Sequence, residues 1–393
     1  MQEAENKRIE SIDLLRGLVM VIMALDHVRD YFHRDGFLFD PTDLSQTNGF
    51  LFFTRWITHF CAPVFVLLSG TSAFLVGERK GKKALSWFLA SRGLWLILLE
   101  LTIINFAWFF DPGFNNLLFI VIWVIGLGML FLAGLIWLPL KWIAVFGLTM
   151  IFGHNLLDGI TVSGQGIDAI LWSFLHQFQI FEFENVNLFI GYPILPWVGV
   201  MAVGYVIGKL YSRSTEKGQR QLWLLRLGVG ATVGFVVLRA LNFYGDPSSW
   251  AVQESALFTL LSFLNTSKYP PSLLYLLMTL GPAFLLLRYS EFNTIPLQRP
   301  MIIIGRVPLF YYVVHLYLIH ALAMLAAVLS GFSWQAMILP VWVNFAPDLV
   351  GYGFGLGTTW LIWLAIVAML YPLCVYWDKF KTRNRGKWWV GYV

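Results

Sequence analysis

Apolar stretches of roughly the length of a membrane-crossing helix alternate along the chain with short polar connections, and ten such stretches predict ten spans. They run from Ile12 to Phe32, Trp56 to Gly77, Leu94 to Phe110, Leu117 to Leu138 and Trp142 to Phe152. The remaining five run from Ile194 to Tyr211, Leu222 to Phe243, Ser272 to Leu287, Met301 to Leu329 and Leu356 to Trp377. Three connections are long: His33 to Arg55, Gly153 to Pro193 and Tyr244 to Pro271. The second is too long for a bare link. These loops hold Trp172, Trp250 and many phenylalanines, and are expected to lie on the membrane interface or to cap a cavity. The predicted architecture is an all-α polytopic membrane bundle of about ten transmembrane helices. It is read as one domain over 1–393, with 1–11 and 378–393 as its terminal tails. No internal repeat or low-complexity tract is visible.

Basic residues give the bundle an orientation. Lys7 and Arg8 precede the first span. Arg79, Lys80, Lys82, Lys83 and Arg92 follow the second, and Lys141 the fourth. Lys209, Arg213, Lys217 and Arg220 follow the sixth, and Arg288 and Arg299 the eighth. Lys379, Lys381, Arg383, Arg385 and Lys387 follow the tenth. With ten spans all of these fall on one side, which the positive-inside rule makes cytoplasmic, so both termini are expected there. The first apolar segment is too long for a signal peptide and lacks a cleavage site, and is read as a retained helix.

Composition agrees. Of 393 residues, 58% are hydrophobic and 12% charged, about half the charged share of a soluble domain. The net charge of +5 is spread over short loops, which argues against nucleic-acid binding. The two cysteines, Cys61 and Cys374, fall in apolar segments near opposite faces and imply no disulfide framework. No HExxH pair or phosphate-binding glycine loop occurs, and no metal is expected.

Ionisable groups inside spans cost about 2.5–3.5 kcal/mol each on insertion scales, so each is a functional candidate. The first span is the richest. Asp13 and Arg16 are three apart and can pair on one helix face. His27 lies eleven residues beyond Arg16, on the same face and about 16 Å along the axis. Asp30 is placed to orient the His27 ring. One reading gives Arg16 an anion near the cytoplasmic end and makes His27 a base or nucleophile in the outer half. The other makes Asp13 and Arg16 an interfacial anchor and His27 to Asp35 a wet helix end. Ser69, Gly70, Thr71 and Ser72 in the second span suit close helix packing. The ninth span repeats the inner arginine and outer histidine with Arg306 and His320, while His315 is read as a packed bundle residue. Glu100 is expected to pair with Arg92, Arg16 or Arg306. His154, Asn155 and Asp158 either line the outer mouth or cap a helix.

The segment Ser11-Ile12-Asp13-Leu14-Leu15-Arg16-Gly17 resembles the opening signature of the heparan-α-glucosaminide N-acetyltransferase catalytic family. Ala24-Leu25-Asp26-His27-Val28-Arg29-Asp30, Ser69-Gly70-Thr71-Ser72, Tyr269-Pro270-Pro271-Ser272-Leu273 and Gly305-Arg306-Val307-Pro308-Leu309 are similar to its bacterial branch. The Arg16–His27 spacing also resembles the wider membrane acyltransferase type 3 group, in which such a pair is regarded as essential. One departure is visible. In the lysosomal heparan enzyme the position matching His27 looks like an asparagine, and the key histidine comes later. The catalytic histidine here is therefore His27 or His33, and depth and the face shared with Arg16 favour His27. The large soluble domain that precedes the lysosomal enzyme's membrane core has no counterpart in this sequence.

The resemblance implies an enzyme that takes an acetyl or other acyl group from cytoplasmic acyl-CoA and delivers it to a sugar amine or hydroxyl at the outer face. On that reading Asp13, Arg16, Arg306, Lys82, Lys83 and Arg92 hold the CoA, with Arg79 and Lys80 adding to the field. His27, Asp30 and His33 are the catalytic candidates, and the acceptor passes His59, His154, Asn155 and His320. A bacterial inner membrane is the expected location, and a second copy of the chain is a candidate partner. The alternatives are a transporter or flippase for an anionic or sugar-containing solute, which intramembrane arginine and histidine also suit, and a scaffold in which Arg16 and His27 tolerate alanine.

Overall fold

The computed structural model describes residues 8–384 and 386–391; Lys7 and Arg385, counted above among the basic flanks, lie outside them. The protein is a helical membrane bundle. In chain order it consists of α1 (Glu10–Phe32), α2 (Gly49–Trp56), α3 (Cys61–Lys80), α4 (Lys82–Leu99), α5 (Asn105–Phe109), β1 (Asn116–Phe119), α6 (Val121–Leu135) and α7 (Leu140–Gly153). Then come α8 (Ile167–Leu175), β2 (Gln179–Glu182), β3 (Asn187–Ile190), α9 (Ile194–Gly208), α10 (Lys217–Leu241), α11 (Ala256–Leu264), α12 (Leu273–Ser290), α13 (Gln298–Arg306), α14 (Pro308–Leu329) and α15 (Leu356–Arg383). Among the described residues, eight helical stretches are long and apolar enough to cross a membrane. The shorter α6 and the charge-rich α1 account for the other two of the ten apolar segments.

Several boundaries differ from the sequence reading, each for a physical reason. The second span begins at Gly49, because α2 continues through one tight turn into α3. Asn48 starts it by accepting a hydrogen bond from the Leu51 N–H. The third span begins at Lys82 and runs on to Phe109, with a wider π-turn at Glu100–Ile104. Leu117 to Phe119 form strand β1, which pairs in parallel with β3, while β2 pairs antiparallel with the other edge of β3. Four apolar residues carry no period that separates strand from helix. The ninth span is broken at Val307, where Pro308 opens α14 and disfavours helical geometry in the residue before it.

Helix α1 sits at the centre, and all but a few of its residues are buried. It crosses α13 at two glycines. A Cβ on Gly17 would overlap the Met301 carbonyl oxygen, and one on Gly305 would overlap that of Asp13. Without side chains between them the two backbones touch, which is how helices gain packing energy in lipid. Gly70 and Gly204 bring α3 and α9 together in the same way, and Thr71 donates its hydroxyl to the Gly204 carbonyl at 3.0 Å.

Glu100 forms no ion pair with Arg92, Arg16 or Arg306. Its carboxylate instead accepts the Trp123 N–H at 2.8 Å, at the first turn of α6. The π-turn carries the side chain to the N-terminus of α6, where a backbone N–H partners Oε2 while Oε1 is buried without a hydrogen bond among the described residues.

Arg8 lies 3.9 Å from Asp378, so the start of α1 and the end of α15 meet at one end of the bundle, the terminal end. The long loops gather at the opposite, distal end. There Arg239 donates to the carbonyls of Ser248, Ser262, Phe263 and Asn265 and clasps the loop around α11. Beside it Asp246 accepts from Ser267 N and Ser272 Oγ; burial raises its pKa and these donors and Arg239 oppose that.

Candidate active site

Inside the distal half lies a cavity of ≈ 480 Å³. Its polar wall comes from α1, through Asp26, His27, Arg29 and Asp30, joined by Arg55 of α2 and Lys268 from the loop before α12. Aromatic side chains close the other sides: Trp108 of α5, Tyr312 of α14, Phe189 of β3, and Tyr192, Tyr269 and Trp342 from the loops. The small sheet and the segments at 36–41 and 342–345 roof it. Trp342 packs between Trp108 and Phe189, with ring centroids at 4.6 and 5.1 Å.

The charges are arranged around Asp26. Arg55 Nη1 donates to both its oxygens, at 2.8 and 2.6 Å. Arg29 Nη1 lies 2.9 Å and Lys268 Nζ 3.7 Å from the same carboxylate. Arg29 also reaches Asp30 at 2.6 Å. Asp40 borders the cavity as well. Burial works to raise its pKa, but Arg55 and two hydrogen bonds from Thr42 hold it below the usual carboxylate value. Three carboxylates thus face three cations. The buried charges among them, Asp26, Arg29 and Asp30, persist only because they are paired this closely.

His27 differs from the partnership expected of it. Asp30 is engaged by Arg29 and does not hydrogen-bond the imidazole. The His27 Nδ1 meets His315 Nε2 at 2.7 Å across the α1–α14 interface, and Trp108 packs edge-on at 4.8 Å between centroids. His315, read from the sequence as packing alone, is its direct partner.

The other candidates fall into separate places. His33 lies outside the cavity lining. Its Nδ1 is 3.1 Å from the Phe354 carbonyl and its Nε2 3.6 Å from Asp35, and burial lowers its pKa. His320 is fully buried, with its ring nitrogens at 2.9 and 2.7 Å from the Ala107 and Met337 carbonyls and Phe110 stacked on it. His154 reaches the Pro271 carbonyl at 2.9 Å, and Asn155 Oδ1 accepts the Leu273 N–H at the start of α12. His59 is buried against Tyr275. None of these four lines the cavity.

The terminal end gathers a second charged group. Arg16 Nη1 donates to Asp13 at 3.0 Å and to the Gly305 carbonyl at 3.1 Å, and Nη2 donates to Ser72 Oγ at 3.1 Å. Arg306 lies 3.8 Å from Asp13 and 3.5 Å from Asp378. Arg92 and Arg16 are both within electrostatic reach of Lys381. Among the described residues, Arg8, Arg16 and Arg306 gather around Asp13 and Asp378, with Arg92 and Lys381 close by, a cluster of positive charge suited to an anion. Lys82 and Lys83 are exposed at the turn into α4.

Sequence reasoning missed Asp26, Arg29, Arg55 and Lys268 as a charged unit. One signal was present: Lys268 is the single lysine in the long distal connections.

Fold and site together define a polytopic membrane protein whose polar groups are concentrated in one distal cavity and one cationic end. The chain belongs to the heparan-alpha-glucosaminide N-acetyltransferase catalytic family, a family of transmembrane acetyltransferases, whose model matches residues 8–245, more than half of the 393 residues. The match covers α1 to α10; Lys268, Tyr312, His315 and Trp342 lie beyond it. No curated protein matches the chain.

Proposed function

We propose that the protein moves an acyl group, an acetyl by family, from acyl-CoA held at the terminal end to a sugar amine or hydroxyl in the distal cavity. The observation that carries the reading is the placement of both sites on α1: Arg16 in the cationic group, and His27 in the cavity wall about 16 Å further along the same face. Arg16, Arg306 and Arg92 neutralise and orient the CoA phosphates, Asp13 holds Arg16 and Arg306 in place, and Lys82 and Lys83 draw the phosphates in. In the direct route the acceptor nitrogen or oxygen attacks the thioester carbonyl while His27 takes its proton. The C–S bond then breaks, and the CoA thiolate leaves with the proton that His27 returns. In the two-stage route the same ring attacks the thioester first, and the acyl-imidazole is passed to the acceptor. Asp26, Arg29, Arg55 and Lys268 orient the polar acceptor, and the aromatic wall stacks against its ring. The likeness of the α1 segments to the bacterial branch favours a bacterial inner membrane, and the basic flanks favour both termini in the cytoplasm.

The test is acetyl transfer by the purified protein in detergent, with acetyl-CoA and a panel of amino sugars, beside His27→Ala. The expected result is turnover by the natural protein, and its loss in the variant with CoA binding retained. A natural protein that neither binds CoA nor turns it over sinks the proposal and favours a transporter of anionic solutes.

A further inference from the structure

We infer that His315 is a positioning residue that sets the tautomer of His27 and so leaves His27 Nε2 as the nitrogen that reacts. The inference rests on the acyl-transfer reading for its consequence, but its geometry stands alone. The two rings lie 21° from coplanar with centroids 4.9 Å apart, and Nδ1 of one is 2.7 Å from Nε2 of the other. Two five-membered rings meeting nitrogen to nitrogen in one line have centroids about 5 Å apart, so the contact is an in-plane hydrogen bond rather than a face-to-face stack.

The protons then follow by elimination. The His315 Nδ1 lies 3.0 Å from the Tyr311 carbonyl oxygen, one turn back on α14. A carbonyl only accepts, so this Nδ1 carries a hydrogen. In a neutral ring His315 Nε2 is then a lone pair, and the proton between the two rings belongs to His27 Nδ1. His27 Nε2 is left as a lone pair on a ring that lines the cavity. Two rings with one proton each satisfy every contact. The reverse arrangement puts a second proton on His315, in a fully buried site whose polar neighbours include the Tyr311 and Tyr312 main chain and His27. That charge would have no carboxylate beside it. The groups facing His27 are Asp26, Arg29 and Asp30 of its own helix, Lys268 from the loop, Trp108 of α5, and Tyr312 and His315 of α14. Among the described residues, only His315 hydrogen-bonds the ring.

When His27 takes the acceptor's proton at Nε2, the bond from Nδ1 to His315 becomes charge-assisted and strengthens. His315 thus holds the ring in the reactive tautomer before the step and stabilises it after. A glutamine can imitate this role, because its side-chain oxygen can accept from Nδ1; a phenylalanine matches the ring but accepts nothing.

The experiment has two arms. In the first, ¹⁵N spectra of histidine-labelled natural protein in detergent, assigned by the resonance that His27→Gln removes, are expected to show His27 protonated at Nδ1 and bare at Nε2. A His27 protonated at Nε2 overturns the inference whatever the activity. In the second, acetyl transfer by His315→Phe is expected to fall about 10²-fold or more in kcat with the acceptor KM within about twofold. His315→Gln should stay within about tenfold of the natural protein. Equal activity of the phenylalanine and glutamine variants overturns the positioning role. The predicted tautomer in a protein without transferase activity leaves the inference standing and removes the proposed function. Should His315→Phe fail to fold, the spectra of the natural protein decide alone.

Discussion

Alanine at Gly17 tests whether the backbone contact between α1 and α13 holds the cationic end together. The added Cβ would overlap the Met301 carbonyl oxygen and stand 2.6 Å from its carbon. Ordinary carbon–carbon contact is about 3.5–4.0 Å, so α13 must retreat by about 1 Å. The obstacle is main chain, and no change of rotamer relieves it. Overpacking of this kind costs about 1–3 kcal/mol. The same retreat would stretch the 3.1 Å bond from Arg16 to the Gly305 carbonyl to about 4 Å, beyond hydrogen-bond reach. The expected outcome is a melting temperature several degrees lower in detergent and weaker acyl-CoA binding by calorimetry. Gly305→Ala should behave alike, since its Cβ would meet Asp13 and stand 2.8 Å from Gly17 N. Gly134→Ala is the control. Nothing lies within 4 Å of that Cβ, and alanine there should gain about 0.5–1 kcal/mol. If Gly17→Ala melts with the control and binds acyl-CoA as the natural protein does, the contact does not have the role assigned to it.

Two further substitutions probe the buried charges. Asp26→Asn removes the anion shared by Arg29, Arg55 and Lys268 and should cost about 3–5 kcal/mol, read as a large fall in melting temperature. Adding Arg55→Gln should recover part of the loss, and a single variant that melts like the natural protein would contradict the network. Glu100→Gln keeps an acceptor for the Trp123 N–H, whereas Glu100→Leu strands it and should lose about 1–3 kcal/mol more. Equal melting of the two would show that the cap on α6 is idle.

How much of this was legible in the sequence differs by element. The long apolar segments declare themselves, because the bilayer demands about 20 residues whatever the neighbours. The Asp13–Arg16 pair was legible from helical spacing alone. Arg306 was correctly placed at the depth of Arg16, since both now contact Asp13. The break at Val307 is signalled by Pro308 but masked by the apolar run that continues through it. Glu100 could not be read, because its partner is a helix N-terminus made by backbone and invisible as a residue type. His315 has the same difficulty in another form. A histidine on an apolar helix looks like packing until the fold brings a second histidine to it from 288 positions away.

That separation also has a meaning in time. Chains grow at about 5–20 residues per second, so α1 is made roughly 15–60 s before the His315 that completes its hydrogen bonding. For most of that interval Asp26, Arg29 and Asp30 lack Lys268 as well. Arg29, on α1 itself, is the first partner open to the two carboxylates, and the contact between Asp26 and Arg55 of α2 is the first from another helix. The helix richest in ionisable residues is therefore the earliest made and the last to be satisfied, and the unfinished protein must shelter it, at the insertion machinery or against α2 and α3, until the final third of the chain arrives.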